Sequence, residues 1–212
     1  MTEIAILGAG GHARVLVDAL RAINMTIAGC IAPQAPDADW PPGIAYLGAD
    51  SVLVNHNPAQ IRLVCGLGGT RSNEPRRYLF DKAKAAGFTF HTVVHPRAMI
   101  ADEVAIAEGT AVMAGAILQT GCKLGANVIV NTGAIIDHDC YIGAHAHIAP
   151  GACLSGGVTV GERAHIGTGA SVIQGVTIGA DAVLAAGCVV VRDVPAGLVI
   201  AGVPGRPSNN ES

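Results

Sequence analysis

The sequence predicts a small α/β unit over residues 1–92 followed by an all-β parallel solenoid over residues 93–212. Isoleucine, leucine or valine recurs every six residues from Val94 to Val190 without a slip, through positions such as Ile100, Val112, Leu124, Ile136, Ile148 and Val172. Four residues after each, as at Ala116, Cys122, Ala134, Cys140 and Ala152, the side chain is again small or aliphatic. No helix or flat sheet has a period of six, whereas stacked short strands do. Ahead of this pattern the chain instead shows apolar runs separated by glycine turns and helical apolar spacing.

Residues 4–7, Ile-Ala-Ile-Leu, read as a buried strand. Gly8-Ala9-Gly10-Gly11-His12-Ala13 follows as a turn, and then a helix with its apolar positions at Val15, Leu16, Ala19 and Leu20. Strand, glycine turn and helix open many nucleotide-binding units, because unpaired amides at the helix start hold phosphate oxygens. A dinucleotide cofactor would also require an acidic residue about 20 positions later for a ribose hydroxyl. The second strand, Ile27–Ile31, runs instead into Ala32-Pro33-Gln34, and Asp37 and Asp39 lie further on in a proline-rich loop. NAD is therefore discounted. A further strand is expected at Ile61–Cys65 and a helix over residues 73–86, entered through Ser72 and Pro75. The alternative for this unit is a cap whose glycine turn binds nothing.

In the solenoid, one large and one small inward residue per hexad leave room for a short strand and a corner. Three hexads close a triangular coil of 18 residues, stabilised mainly by the coils above and below it. Half the chain is hydrophobic, yet it holds only three Phe, three Tyr and one Trp, as a narrow aliphatic core requires. Outward positions including Val128, Ile129 and His147 are more apolar than an exposed surface should be, which predicts contacts between subunits.

A formal charge of −3 and a pI near 6.2 give no basic footprint for nucleic acid or an acidic membrane. The amino terminus does not read as a signal peptide, and no apolar stretch reaches membrane-spanning length, so a cytoplasmic protein is expected. Six cysteines include no C-x-x-C pair. Cys122, Cys140 and Cys188 occupy the small inward slot and are expected to fill the core as buried thiols.

The histidines sort by their place in the hexad. His138 and Asp139 follow inward Ile136 by two and three positions, which puts them at a corner, pointing outward. Steps of 18 give Thr120 and Gly121 on one side and Gly156 and Gly157 on the other, so the ring has open space. His147 and His165 stack on a flat face, and Thr168 and Ala186 share a corner column.

Taken together, the I-x-x-G-A-G-G-H-A start, His95-Pro96, the segment N-T-G-A-I-I-D-H-D, the hexads such as Ile142-Gly143 and Val160-Gly161, and a final G-V-P-G resemble a known family. It is the hexapeptide-repeat acyltransferases, in particular the sialic acid O-acetyltransferase and nucleotide-4-amino-sugar N-acetyltransferase group. The resemblance implies a Rossmann-like sugar-nucleotide-binding unit and a left-handed parallel β-helix, assembled as a homotrimer with active sites between adjacent solenoids. It implies acetyl-coenzyme A as co-substrate, no metal, and a nucleotide-linked 4-amino-4,6-dideoxy sugar as acceptor, on UDP, GDP or dTDP. By the same likeness His138 is the general base and Asp139 tunes it. His147, Gly156, Thr168 and Ala186 contact acetyl-coenzyme A, and Gly10, Gly11 and His12 contact the sugar nucleotide. The family often ends its second strand with an acidic pair that touches this substrate, where this chain has Ala32 and Pro33.

The chemistry suits those residues. An amine attacking a thioester must lose a proton, and neutral imidazole accepts it near physiological pH. Adjacent strand residues face opposite ways, so only a corner conformation brings Asp137 or Asp139 to the ring. Two other readings stand beside this one. Acetyl transfer to a sugar hydroxyl uses the same base. A zinc-dependent hydratase of the carbonic anhydrase type would need His138, His145, His147 and His165, which the hexad places at two corners and a flat face.

Overall fold

The computed structural model describes residues 3–69 and 72–208. The amino-terminal unit is a four-stranded parallel sheet with strands β1 (Glu3–Leu7), β2 (Ile27–Ile31), β3 (Tyr46–Gly48) and β4 (Ile61–Cys65) in the order β3-β2-β1-β4. Helix α1 (Gly11–Ala22) buries Ala13, Leu16, Val17, Ala19 and Leu20 against Ile4, Ile6, Cys30 and Val64 on one face of the sheet. Val15, expected inward, is 43% exposed, and Val17 takes that place in the helix's buried stripe. Helix α2 (Glu74–Ala85) packs Leu79, Phe80 and Ala83 on the other face, against Leu7, Ile31 and Leu63. Ser72 Oγ accepts the Glu74 amide at 3.2 Å, and Pro75 lies in the first turn, where a missing N–H costs nothing.

The proline-rich stretch after β2 carries structure that its composition hides. Tyr46–Gly48 adds an edge strand, and Asp50–Asn55 forms a short 3₁₀ turn. Trp40 donates to the Ile44 carbonyl at 3.1 Å, Arg21 donates to the Pro42 carbonyl at 2.7 Å, and Arg14 pairs with Asp39. These contacts fold the loop back onto α1.

From Val93–Val94 onward the chain is a solenoid of two-residue strands on three faces. The first face carries Ile129–Val130, His147–Ile148 and His165–Ile166, the second Ile135–Ile136 and Cys153–Leu154, and the third Tyr141–Ile142 and Thr159–Val160. Through Val189–Val190 each strand pairs in parallel with the strand one coil away, as in His147↔His165 and Tyr141↔Thr159, which is the predicted step of 18; beyond it Val199–Ala201 pairs with Val183–Leu184 in parallel, and Arg206–Pro207 returns antiparallel to it. Ile136, Ile142, Ile148, Leu154, Val160 and Ile166 are completely buried, with Ala134, Ala146, Ala152 and Ala164 between them. Truncating one of the large ones to alanine should cost about 2–5 kcal/mol.

Corners repeat with the same period. Every sixth residue from Gly109 to Gly187 has a positive φ, between 56° and 75°. Most are glycine; Asn127, Asp139, His145, Arg163 and Asp181 take the same left-handed conformation with a side chain.

The first face is where an expectation fails. Ile129 and His147 are buried, and Val128 is an inward slot residue with no exposure. This face is covered by the chain's own amino-terminal unit: Val93, Ala111 and Met113 share a core cluster with α1 and β1. Its apolar character is thus used within one chain and says nothing about subunit contacts. Among the described residues, no helix is long and apolar enough to cross a membrane.

Candidate active site

The sequence-selected residues fall into three places. His138 and Asp139 project from the vertex between the second and third faces, with side chains 57% and 72% exposed. His138 Nδ1 donates to Asp139 Oδ2 at 2.9 Å. That bond, and then the charge of Asp137, raises the imidazole pKa above its ordinary value and leaves Nε2 as the basic nitrogen of the neutral ring. Glycines make room for the pair. A Cβ on Gly156 would run into the His138 ring, and one on Gly121 would run into Asp139 Oδ1. Gly156 lies buried beneath the ring, and among the described residues its amide donates to no protein acceptor.

The second group sits at the seam between the amino-terminal unit and the first face. Gly10 caps α1 with no side-chain hydrogen bond, and no acidic residue occupies the first turn, so the helix start is open to an anion. Gly10 and Gly11 are exposed, and a Cβ on either would meet nothing within 4 Å. His12 packs its Cβ against Gly68, while its Nε2 is closed off from solvent and has no partner among the described residues. Burial first, and then Arg76, push its pKa down to about 4.

His147 belongs to this seam. Its Nδ1 donates to the Gly69 carbonyl at 2.7 Å, and its Nε2 accepts from Asn131 Nδ2 at 3.3 Å. The ring meets His165 edge to face, with centroids 5.0 Å apart. Burial and then the neighbouring His165 lower the His147 pKa to about 3, and burial lowers that of His165. Sequence reading placed these two rings on an outward flat face; in the structure that face is covered and they are buried in the seam.

Thr168 and Ala186 form the third group, exposed and one above the other at the vertex between the first and second faces. Gly187 N donates to the Thr168 carbonyl at 2.8 Å, which fixes their stacking.

Sequence reading missed the residues that dock the two units. Arg76, 1% exposed, bonds both the carbonyl and the side-chain oxygen of Asn127. Asn73 Nδ2 donates to the carbonyls of Arg163 and Ala164 at 2.9 and 3.1 Å. Lys84 holds Glu108 at 2.9 Å, and Phe80 meets His145 edge on. All of these lie along the vertex between the third and first faces. The amino-terminal unit therefore covers the first face and one vertex, and His138 stands at the vertex opposite. Among the described residues, no three His, Cys, Asp or Glu side chains converge as a metal site.

Comparison with known proteins agrees with this architecture. Residues 3–83 match the PglD N-terminal domain family, residues 121–156 the bacterial transferase hexapeptide family and residues 157–192 the hexapeptide repeat of succinyl-transferase. The acetyltransferase domain of PglB from Neisseria gonorrhoeae, solved in complex with acetyl coenzyme A, is 36% identical, with 97% of this chain and 98% of that one covered and a TM-score of 0.89. PerB from Caulobacter crescentus, solved with CoA and GDP-perosamine, is 40% identical over 99% of this chain and 98% of that one, with a TM-score of 0.91. WeeI from Acinetobacter baumannii shares the fold at 24% identity, with coverage of 98% and 100% and a TM-score of 0.87. No curated protein sequence matches the chain significantly.

Proposed function

Since the chain belongs to the hexapeptide-repeat sugar acetyltransferases of the PglD and PerB type, we propose that it acetylates the 4-amino group of a nucleotide-linked 4-amino-4,6-dideoxy sugar, with acetyl-coenzyme A as donor and His138 as general base. The enzyme is an acetyltransferase built on the left-handed parallel β-helix. The observation that carries the finer reading is the His138–Asp139 pair: a tuned, exposed imidazole between glycines, on a solenoid whose relative PerB was solved with CoA and GDP-perosamine.

In this reading the neutral amine attacks the thioester carbonyl carbon while His138 Nε2 takes its proton. Asp139, accepting from Nδ1, stabilises the imidazolium that forms. The carbon–sulfur bond then breaks, and the proton held by His138 is available to the leaving thiolate. The free amide of Gly156, beside the ring, is suited to the developing oxyanion. Gly10, Gly11 and His12 receive the sugar nucleotide at the start of α1, and the exposed column of Thr168 and Ala186 serves the coenzyme. His147, with both ring nitrogens already engaged by the protein, supports the coenzyme site through Asn131 and Gly69.

In this reading one chain does not bring these parts together, since its sugar-nucleotide unit and its His138 lie on opposite sides of the solenoid. A second copy then supplies the partner group, which supports a homotrimer with composite sites. We take residues 1–92 and 93–212 as the two working units, in a cytoplasmic enzyme of glycan synthesis.

The test is product mass spectrometry after incubation with acetyl-coenzyme A and a panel of UDP-, GDP- and dTDP-linked amino sugars, without added metal, beside His138→Ala. An acetyl increment on one sugar, lost in the variant, supports the proposal and names the substrate. No increment on any sugar overturns it and favours a hydroxyl acceptor.

A further inference from the structure

The solenoid's three vertices are not built alike. A tight corner is normally closed by an amide donating back to the carbonyl three residues earlier. The vertex carrying Thr168 has this closure in every coil, from Ala98→His95 through Ala134→Asn131 to Cys188→Ala185. The docking vertex has it at Thr110→Ala107, Ala146→Gly143, Ala164→Gly161 and Ala182→Gly179. At the His138 vertex only Val104→Ala101 is closed in this way. Among the described residues, no such bond closes the corners at residues 119–122, 137–140, 155–158 and 173–176.

Where a corner is open, a side chain from the coil below can enter it. Thr110 does so at the docking vertex, donating to the Gly125 carbonyl at 2.9 Å while accepting the Val128 amide at 3.3 Å. Two thiols occupy the equivalent position at the His138 vertex. Cys122 Sγ donates to the Asp137 carbonyl at 3.0 Å, and Cys140 Sγ donates to the Ser155 carbonyl at 3.3 Å. The other residues of this inward column, Val104, Val158 and Val176, have no donor to offer.

The Asp137 carbonyl belongs to the peptide unit that leads into His138. The N–H of the same unit, on His138, donates to Asp137 Oδ1 at 2.8 Å. The following unit is held by backbone alone, with Gly157 N on the His138 carbonyl at 2.8 Å and Asp139 N on the Thr120 carbonyl at 2.9 Å. Both peptides flanking His138 are thus pinned at oxygen and nitrogen, and the only pin from a buried side chain is the Cys122 thiol.

We propose that Cys122 is a positioning residue for the acetyl transfer: its thiol fixes the Asp137–His138 peptide in an otherwise unclosed corner, and so sets the line of the His138–Asp139 bond. This rests on the reading of His138 as the base. A thiol is a weak donor, so the effect is modest, but it acts on a bond whose geometry decides basicity. The titratable groups acting on the ring are Asp137 and Asp139 on its own coil and Cys122 itself on the coil before, whose charge the serine variant removes as the valine variant does, with Glu103 one step removed, on the Thr120 hydroxyl.

The test compares Cys122→Val with Cys122→Ser. Valine is the residue already found in this slot at 104, 158 and 176, so the variant should fold; serine keeps a donor. The His138 imidazole titration is followed by NMR on each protein alone, and kcat and KM are measured for acetyl transfer. For Cys122→Val the His138 pKa should fall toward the ordinary imidazole value and kcat should drop about 2–5-fold with KM unchanged, while Cys122→Ser stays close to the parent. An unchanged titration and kcat in Cys122→Val, or a Cys122→Ser that behaves like Cys122→Val, overturns the proposal and leaves Cys122 as a filler of the slot. Because the titration needs no substrate, absence of transfer in the parent protein would count against the acetyltransferase substrate and not against the thiol.

Discussion

His138 Nδ1 and Asp139 Oδ2 are 2.9 Å apart although their residues are adjacent in the chain, because Asp139 sits at φ 58°, in the left-handed region. Consecutive side chains on an extended strand diverge. The left-handed turn brings these two to the same side, and the glycines at 121 and 156, one coil to either side, leave them the space.

In the proposed mechanism that conformation sets catalysis against stability at one residue. Asp139→Gly relieves a left-handed strain and should leave the protein equally stable or up to about 1 kcal/mol more stable. Activity should nonetheless fall roughly tenfold or more, since the ring loses its partner. Thermal unfolding and kcat on the same preparation check both halves. A variant that loses stability as well as activity would show that Asp139 is structural.

The pH profile follows from the same bond. Asp139 raises the His138 pKa, so the ring remains protonated, and unable to act as base, to a pH above its ordinary 6.5. The acid limb of kcat/KM should therefore lie above that value and move down in Asp139→Asn. His138→Ala should remove about 10²–10⁴ of the rate with the limb itself.

At the seam the sign is the reverse. His12 and His147 have pKa values lowered to about 4 and about 3, and burial lowers His145 and His165 as well. The unfolded chain binds protons at these histidines near pH 6.5, where the folded chain does not. Their contribution to stability is complete above that pH and is lost as pH falls from 6.5 toward about 4 for His12 and about 3 for His147, by a few kcal/mol in all. Urea unfolding between pH 7 and 4.5 should show the loss, and His147→Gln should flatten it. Equal stability across the range would mean the seam is open to water.

Composite sites are tested by complementation. His138→Ala and His12→Ala should each be nearly inactive, yet co-refolded mixtures should recover up to roughly a quarter of the parental activity, because random mixing pairs an intact His138 with an intact His12 in one site in four. No recovery would place both residues in the same chain's site.

Gly10 and Gly11 give a cleaner separation of ligand from fold. Neither has a positive φ, and neither would bring a Cβ into contact with the protein, so the fold itself does not require glycine there. Gly11→Ala should unfold like the parent while raising KM for the sugar nucleotide at least several-fold, the mark of a backbone that a phosphate approaches closely. An unchanged KM would move the substrate elsewhere.

The solenoid was legible in the sequence because each inward Ile, Leu or Val repeats on a fixed step, and the corner position of His138 follows from counting. Contacts between elements distant in the chain were not. Arg76 reaches Asn127, and Asn73 reaches Arg163, across 51 and 90 positions, and nothing local marks either pair. His147 and Ile129 showed an apolar outer face, but sequence could not say whether another subunit or the chain's own first unit covers it. Cys122 and Cys140 read as buried fillers, and buried they are; the open corner that turns their thiols into donors is visible only in three dimensions. The edge strand at Tyr46–Gly48 was hidden by the prolines around it.

The step from one coil to the next also makes the solenoid a ruler. Parallel strands lie about 4.7–4.9 Å apart, so Thr168 and Ala186 mark one division and every vertex is graduated alike. Removing or duplicating a whole coil edits length without disturbing register, whereas gaining or losing a single residue rotates everything beyond it out of phase. For an extended substrate lying along the axis, this chain can change where the far end is held by whole divisions only, and the distance from His138 to any such grip is quantised by the fold.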